Sequence, residues 1–401
     1  MYRPANIFFA HYGDEWIRGS ERCLLDLLKH IDRTRFHPTL WCNSETMGDA
    51  VRKLNIAAEV RPMPILFGWQ APRFDFTAYA KLIRHSVQTI RKQEIDLIHA
   101  NSGAPVQWLN PAARITRTPL LAHLHARYPL RDRLTLGLHQ VSLAVGVSPP
   151  VIEQLHQDGM PESRTRVIPN AIDIDHHNAQ PPVDLRSLLN LKPNDFVMIT
   201  VGSLIQRKGV DLMIHGVRQL INQGIPLHLA VIGDGPEQSA LQQQIDNFGL
   251  QQHIHLLGER DDVPSLLRGG ADLFLSAARE EVFGLVLAEA ALARLPVIAP
   301  SVGGIPGVVT DGITGKLFKP ENIKAMNSAI TTLYHSSDLR RKMGRSGRQQ
   351  VAERFNVRRY CHTFEQTYQT LLASPAHRMN WHHHWPTGPA LSRALGILIK
   401  Q

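Results

Sequence analysis

Short apolar runs alternate with amphipathic stretches of helical period along almost the whole chain, and that rhythm leaves few folds open. A strand that pairs in parallel with the next needs a long crossover, usually a helix, so the pattern predicts parallel α/β sheets. In the first half, ANIFFA (5–10) and HPTLWC read as strands, and SERCLLDLLKHI and FTAYAKLIRHSVQTIRKQ as helices. DLIHAN, PLLAHLHA, SLAVGVS and RVIPNAI continue the theme as short buried strands ending in polar residues. A Pro-, Asn- and Gln-containing stretch around 176–195 reads as a linker, after which FVMITVGSL, HLAVIGDG, HIHLLGE, DLFLSAA and PVIAPSVGG begin a second series. The expectation is therefore two doubly wound domains. Ligands of such open sheets bind at the carboxyl ends of the strands, here in a cleft where two domains lie side by side.

Composition removes several function classes. The 401 residues are 43% hydrophobic and 20% charged, ordinary for a globular chain. No apolar run approaches the roughly 18 residues of a spanning helix, and the opening MYRPANIFFAHYGDEW has too brief an apolar stretch for a secretory signal. The expected location is the cytoplasm. Cys23, Cys42 and Cys361 are odd in number and lack metal-ligand spacing, which suggests neither a disulfide framework nor a zinc cluster. The net charge is +9, and residues 51–150 alone hold thirteen Lys/Arg against five Asp/Glu. That imbalance suits an anionic membrane surface, an acidic saccharide or nucleic acid, or a solvated basic face with no partner. Among partners an anionic membrane surface, met peripherally, stays open beside the solvated face, and nucleic acid is not expected.

The most informative segment is AREEVFGLVLAEAALA, in which Glu281 and Glu289 are separated by seven residues. Gly284 followed by strong helix formers predicts a helix start, with unpartnered N–H groups around Phe283, Gly284 and Leu285 to meet phosphate oxygens. If the run is helical, the two acids stand about 12 Å apart, near the sugar-to-ribose span of a nucleotide sugar. Taken alone, the pair is equally a solvated helix edge. A second segment, VGSLIQRKGVDLMI, places Arg207 and Lys208 directly after a strand. A fixed cation there stabilises the negative charge that grows on a departing diphosphate. Downstream, Gly303 and Gly304 and a Gly-rich, hairpin-like stretch offer room for backbone to approach a ligand.

These segments, with VIGDGPE, LLGERDDVPSLL, PLLAHLH and VIPNAID, resemble GT-B glycosyltransferases of the large retaining group 4, whose glutamate pair has the form E-x-F-G-x4-E. The resemblance runs from about residue 6 to 373. It implies two Rossmann-like domains facing a cleft: 1–178 for the acceptor, a linker at 179–194, 195–355 for a UDP- or GDP-sugar donor, a helix at 356–375 returning to the first domain, and a tail at 376–401. It also implies transfer with retention to a saccharide or lipid-linked acceptor, as in cell-envelope or exopolysaccharide synthesis, with no metal or other cofactor. On the matching positions, Glu281, Lys208 and His125 are expected to serve catalysis. Glu289, Arg207, Ser203, the amides of Phe283, Gly284 and Leu285, and the loop residues Gly19 and Ser20 are expected to hold the donor. Ser203 stands where many relatives have Arg, Arg18 replaces the first glycine of the N-terminal loop, and Gly307 sits where an acid is common. Hydrolysis or epimerisation of a nucleotide sugar, or a non-catalytic binding subunit, are the alternatives on the same fold.

Two metal-like patterns are set aside. Asp173-Ile174-Asp175 ends the VIPNAID segment, and His382, His383 and His384 between Trp381 and Trp385 fall in the tail.

Overall fold

The computed structural model describes residues 3–68 and 74–374 and, beyond them, Met379 and Gly388. The chain divides into two compact units, one formed by Met1–Asn170 with the segment from Val357 on, the other by Ala171–Asn356. The histidine and tryptophan cluster at 381–385 lies outside the described residues.

The first unit is built on seven strands: β1 (Ala5–His11), β2 (Phe36–Cys42), β3 (Ala58–Val60), β4 (Leu97–Ala100), β5 (Leu120–Leu124), β6 (Leu143–Gly146) and β7 (Thr165–Val167). Their order is β3-β2-β1-β4-β5-β6-β7 and every pairing is parallel. The strand order reverses between β1 and β4, where Phe8 faces Ile98 in register. Because helices cover both faces, β4 and β5 along their whole length and β1 from Ile7 on are buried without alternation. The segment RVIPNAI departs from its expected reading. Only Thr165–Val167 is strand, and Arg166 and Val167 are exposed because β7 is the sheet edge.

The helix Val357–Ala373 packs on this first unit. Phe364 and Tyr368 lie fully buried, and Tyr368 meets Phe9 and Phe36 edge-on at 6.5 and 5.7 Å. Each such ring contributes about 1.5–3 kcal/mol of burial. The helix Phe76–Lys92 shows the local rules plainly. Asp75 caps it by accepting from the Ala78 N–H at 2.8 Å, Leu82 and Ile90 are buried on one side, and Arg91 and Lys92 meet the negative end of its dipole.

The second unit carries β8 (Val197–Val201), β9 (His228–Ile232), β10 (Ile254–Leu256), β11 (Leu273–Leu275), β12 (Val297–Pro300) and β13 (Gly315–Phe318) in the order β10-β9-β8-β11-β12-β13, again all parallel. Its core joins Met198, Leu229 and Leu275 of the sheet to Val217 and Ile330 of the covering helices. The hairpin-like stretch is corrected here: its second arm is β13, which lies parallel to β12 rather than folding back on a neighbour. The stretch expected as linker is also structured. It carries short helices at Ile174–Ala179 and Leu185–Leu188 and is tied to the second unit by Val183 N–H to Ser265 O at 3.1 Å and Leu185 N–H to Gly269 O at 2.9 Å.

Candidate functional site

In the second unit the strand order reverses between β8 and β11, so the loops that follow these two strands meet at the carboxyl edge of the sheet. After β8 the chain closes a 3₁₀ turn at Gln206–Lys208 and leaves it through Gly209 at φ 68°, the start of the helix Val210–Asn222. A Cβ at Gly209 would stand 2.0 Å from the Ala277 carbonyl, so only glycine lets the two loops touch. The Arg279 N–H then donates to the Arg207 carbonyl at 2.8 Å. The Arg279 guanidinium grips Asp211 at 2.9 and 2.7 Å, Glu321 at 3.0 Å and the Gln206 carbonyl at 2.7 Å. Its hydrogen bonds to Asp211 hold that guanidinium even more firmly charged than usual, against the opposing effect of burial. The scaffold of both loops is thus fixed by backbone and ion pairs that leave Lys208 and Glu281 to themselves.

Those two side chains meet. Lys208 Nζ donates to Glu281 Oε2 at 2.6 Å, with the side chains 20% and 13% exposed, and Glu281 Oε1 accepts from the Val282 N–H at 3.1 Å. They border a pocket with Thr200, Gly202, Ser276 and Val286. Immediately beyond, Gly284 at φ 96° begins the helix Leu285–Leu292, and its carbonyl accepts from the Leu287 and Ala288 N–H groups at 3.0 and 3.2 Å, which leaves the N–H groups of Leu285 and Val286 at the helix start. Phe283 is buried edge-on to Phe355 at 5.5 Å and anchors that turn.

The distance expected between the two glutamates needs correction, since residues 281–284 are not helical and only the part from Leu285 follows helical rise. Glu289 sits in the second turn of that helix, partly buried. Gly303 and Gly304 back onto the chain itself, with the Gly304 N–H donating to the Glu281 carbonyl at 2.9 Å. Ser203 is partly buried, and Arg207 is exposed and not brought against Glu281 by any described contact. Asp173 of the DxD-like pattern caps the helix Ile174–Ala179 by accepting from the His176 N–H at 3.1 Å.

The first unit assembles a polar network at its own point of reversal. His11 ends β1, Asn101 follows β4 and His125 follows β5. His11 Nε2 lies 3.1 Å from Glu21 Oε1, and Glu21 Oε2 accepts from the Arg18 N–H at 3.2 Å. Gly19 and Ser20, expected in a loop, form the first turn of the helix Gly19–His30, and Ser20 Oγ donates to Glu21 Oε1 at 3.0 Å. Burial alone would raise the Glu21 carboxyl, but the hydrogen bond and charge of His11, with bonds from the Glu21 backbone N–H and Ser20, carry it down to about 2. Asn101 Nδ2 points to the Ser20 carbonyl at 3.4 Å, which leaves Oδ1 to accept from His125 Nε2 at 3.1 Å. We therefore assign the His125 proton to Nε2 and a lone pair to Nδ1. Burial, with the neighbouring His11 charge, lowers His125 to about 3. Behind it His123 and His99 are also held neutral by burial, His99 at about 3, with His99 Nδ1 2.6 Å from the Tyr368 hydroxyl.

Comparison with known proteins decides the class. Residues 17–176 match the family described as Glycosyltransferase Family 4, and residues 184–350 match Glycosyl transferases group 1. The chain is 24% identical over 315 residues to the N-acetyl-alpha-D-glucosaminyl L-malate synthase of Bacillus anthracis, covering 76% of this chain and 81% of that one. HepE of Anabaena, solved in complex with UDP and glucose, superimposes with a TM-score of 0.76 at 26% identity over 91% of this chain and 99% of HepE. A glycosyltransferase from Rickettsia africae shares the fold with a TM-score of 0.80 at 18% identity, covering 92% and 99%. The protein is a glycosyltransferase.

The fold of this glycosyltransferase is accordingly GT-B, two Rossmann-like α/β domains with seven and six parallel strands. Among the described residues of the glycosyltransferase, no helix is long and apolar enough to cross a membrane. Three members of its N-terminal network, His11, Glu21 and Asn101, escaped the sequence reading. A signal for one was present: Glu21 is the third residue of a helix, where an acid reaches back to the N-cap amide of Arg18.

Proposed function

We propose that the glycosyltransferase moves a sugar from a UDP- or GDP-sugar to a saccharide or lipid-linked acceptor with retention at the anomeric carbon, in the construction of envelope or extracellular polysaccharide. The observation that carries this is the Lys208–Glu281 pair at 2.6 Å beside the start of the helix Leu285–Leu292. Cation, acid and helix amides converge there, the groups that a diphosphate joined to a sugar requires. HepE, at 26% identity, was solved with UDP and with UDP-glucose, which supports a UDP-linked donor. In this view the Ala171–Asn356 unit binds the donor and the N-terminal unit the acceptor.

Lys208 leaves Glu281 for the β-phosphate when the donor enters, and the freed carboxylate takes the sugar hydroxyls and faces the charge that develops on the ring. Glu289 holds the ribose. The bond from the anomeric carbon to the phosphate oxygen breaks, and the acceptor oxygen bonds the same face of that carbon. The acceptor proton passes to the departing phosphate oxygen. Lys208, Arg207 and the first-turn amides of the helix answer the phosphate charge, so no metal is assigned a part.

The test is incubation with labelled UDP- and GDP-sugars and an envelope lipid extract, with and without EDTA, followed by NMR of the product anomer. Retained configuration and turnover that survives EDTA support the proposal. An inverted product, or free sugar released with no acceptor dependence, overturns it, the latter in favour of a hydrolase.

A further inference from the structure

Three phenylalanines of the N-terminal unit stand in water: Phe74 is 70% exposed, Phe76 58% and Phe67 38%. They are not scattered. The Phe67 ring meets Phe74 and Phe76 edge-on at 5.8 and 6.0 Å, so the three make one raised aromatic patch. Phe67 holds its place at φ 58°, a region that bulky residues avoid, and its carbonyl accepts from Arg131 Nη2 at 3.0 Å.

Cations surround this patch. From Phe74 to Lys92 the sequence holds four Lys/Arg and one acid, Asp75, whose carboxylate is occupied in capping the helix Phe76–Lys92. Lys81, Arg84 and Arg91 are exposed on that helix. At helical rise, Arg84 lies about 12 Å from Phe76. Rings that project at one end of a cationic helix face suit a surface that is apolar just beneath a layer of negative charge.

We infer that this face docks the glycosyltransferase on a bilayer containing anionic lipid, with the three rings at the headgroup boundary and Lys81, Arg84 and Arg131 against the phosphates. A water-soluble polyanion would satisfy the cations but give the rings nothing, because aromatic rings gain free energy only where they leave water. The inference goes beyond the transfer reaction and stands on this surface alone.

The test is co-sedimentation of the full chain with vesicles of neutral phosphatidylcholine, with and without about 30 mol% phosphatidylglycerol, at about 0.1 M salt, where charges act over about 10 Å. The chain binds the anionic vesicles and leaves the neutral ones. F74A/F76A lowers partitioning by about tenfold or more, and so does K81E/R84E. UDP affinity and the thermal midpoint of both variants stay at the parent value, which separates loss of docking from loss of fold. Equal binding to neutral vesicles, no binding to anionic ones, or binding to heparin and vesicles alike that ignores F74A/F76A overturns the inference.

Discussion

A Cβ built on Gly303 would lie 1.9 Å from the carbonyl oxygen of Glu281, so the turn after β12 presses directly against the residue that grips Lys208. Gly303 also has φ 51°, which side chains tolerate poorly. Gly303→Ala must therefore push the Glu281 segment away. We expect a stability loss of about 1–3 kcal/mol and a fall in kcat/KM that exceeds it, read from thermal melts beside donor turnover. Full activity in this variant would show that the position of Glu281 does not depend on the turn.

Lys208 and Glu281 should separate in their effects because one is assigned to the diphosphate and the other to the sugar. Lys208→Ala should weaken UDP binding by about tenfold and transfer by about 10²–10³-fold. Glu281→Gln should lower transfer by a similar factor but leave the affinity for UDP, which has no sugar, near its parent value. Calorimetric titration of UDP into each variant makes the distinction, and equal losses of UDP affinity would contradict it.

Acid should reveal Glu21. Its carboxyl falls from the usual 4.5 to about 2 in the folded chain, so on acidification the unfolded chain takes up this proton first. The stability it contributes is present above about 4.5 and is lost as pH falls through about 2, amounting to at most about 3 kcal/mol. Glu21→Gln cannot titrate. The difference in unfolding free energy between parent and variant should shrink from neutral pH towards pH 2, and a pH-independent difference would refute the assignment.

His123 is the opposite case. It is buried, and among the described residues neither ring nitrogen has a hydrogen-bond partner. Burial, with the nearby His125 and His99, lowers it well below 6.5, so its neutral form favours the fold above 6.5 and that contribution is lost as pH falls below. His123→Leu fills a similar volume and removes two stranded polar atoms worth about 1–3 kcal/mol in lost solvation. Urea unfolding should find the variant no less stable at neutral pH, with a flatter decline on acidification. A steeper decline would mean that the ring makes bonds we have not identified.

Much of this was legible from the sequence because buried parallel strands leave continuous apolar runs, as in Leu273–Leu275 and Val297–Pro300. RVIPNAI misled because an apolar run also suits irregular backbone passing a sheet edge, and Pro169 offers no N–H to a ladder. The convergence of Lys208 with Glu281 could be expected from residue type and position after a strand. The partnership of His11, Glu21, Asn101 and His125 could not, since each arrives on a different loop or helix and only the strand order brings them together. The double glycine at 303–304 announced a close approach of backbone, and the structure shows one such approach, to the chain itself at Glu281 and Val282.

The N-terminal sheet closes over Phe364 and Tyr368, supplied by the helix Val357–Ala373 from the far side of the second unit in sequence. During synthesis, about 200 further residues must be translated after Asn170 before those rings emerge, on the order of tens of seconds at about 5–20 residues per second. Through that interval Phe9 and His99 wait without their aromatic lid. The half of the enzyme made first is the half completed last, and a nascent chain stalled between the two is the form most in need of a chaperone.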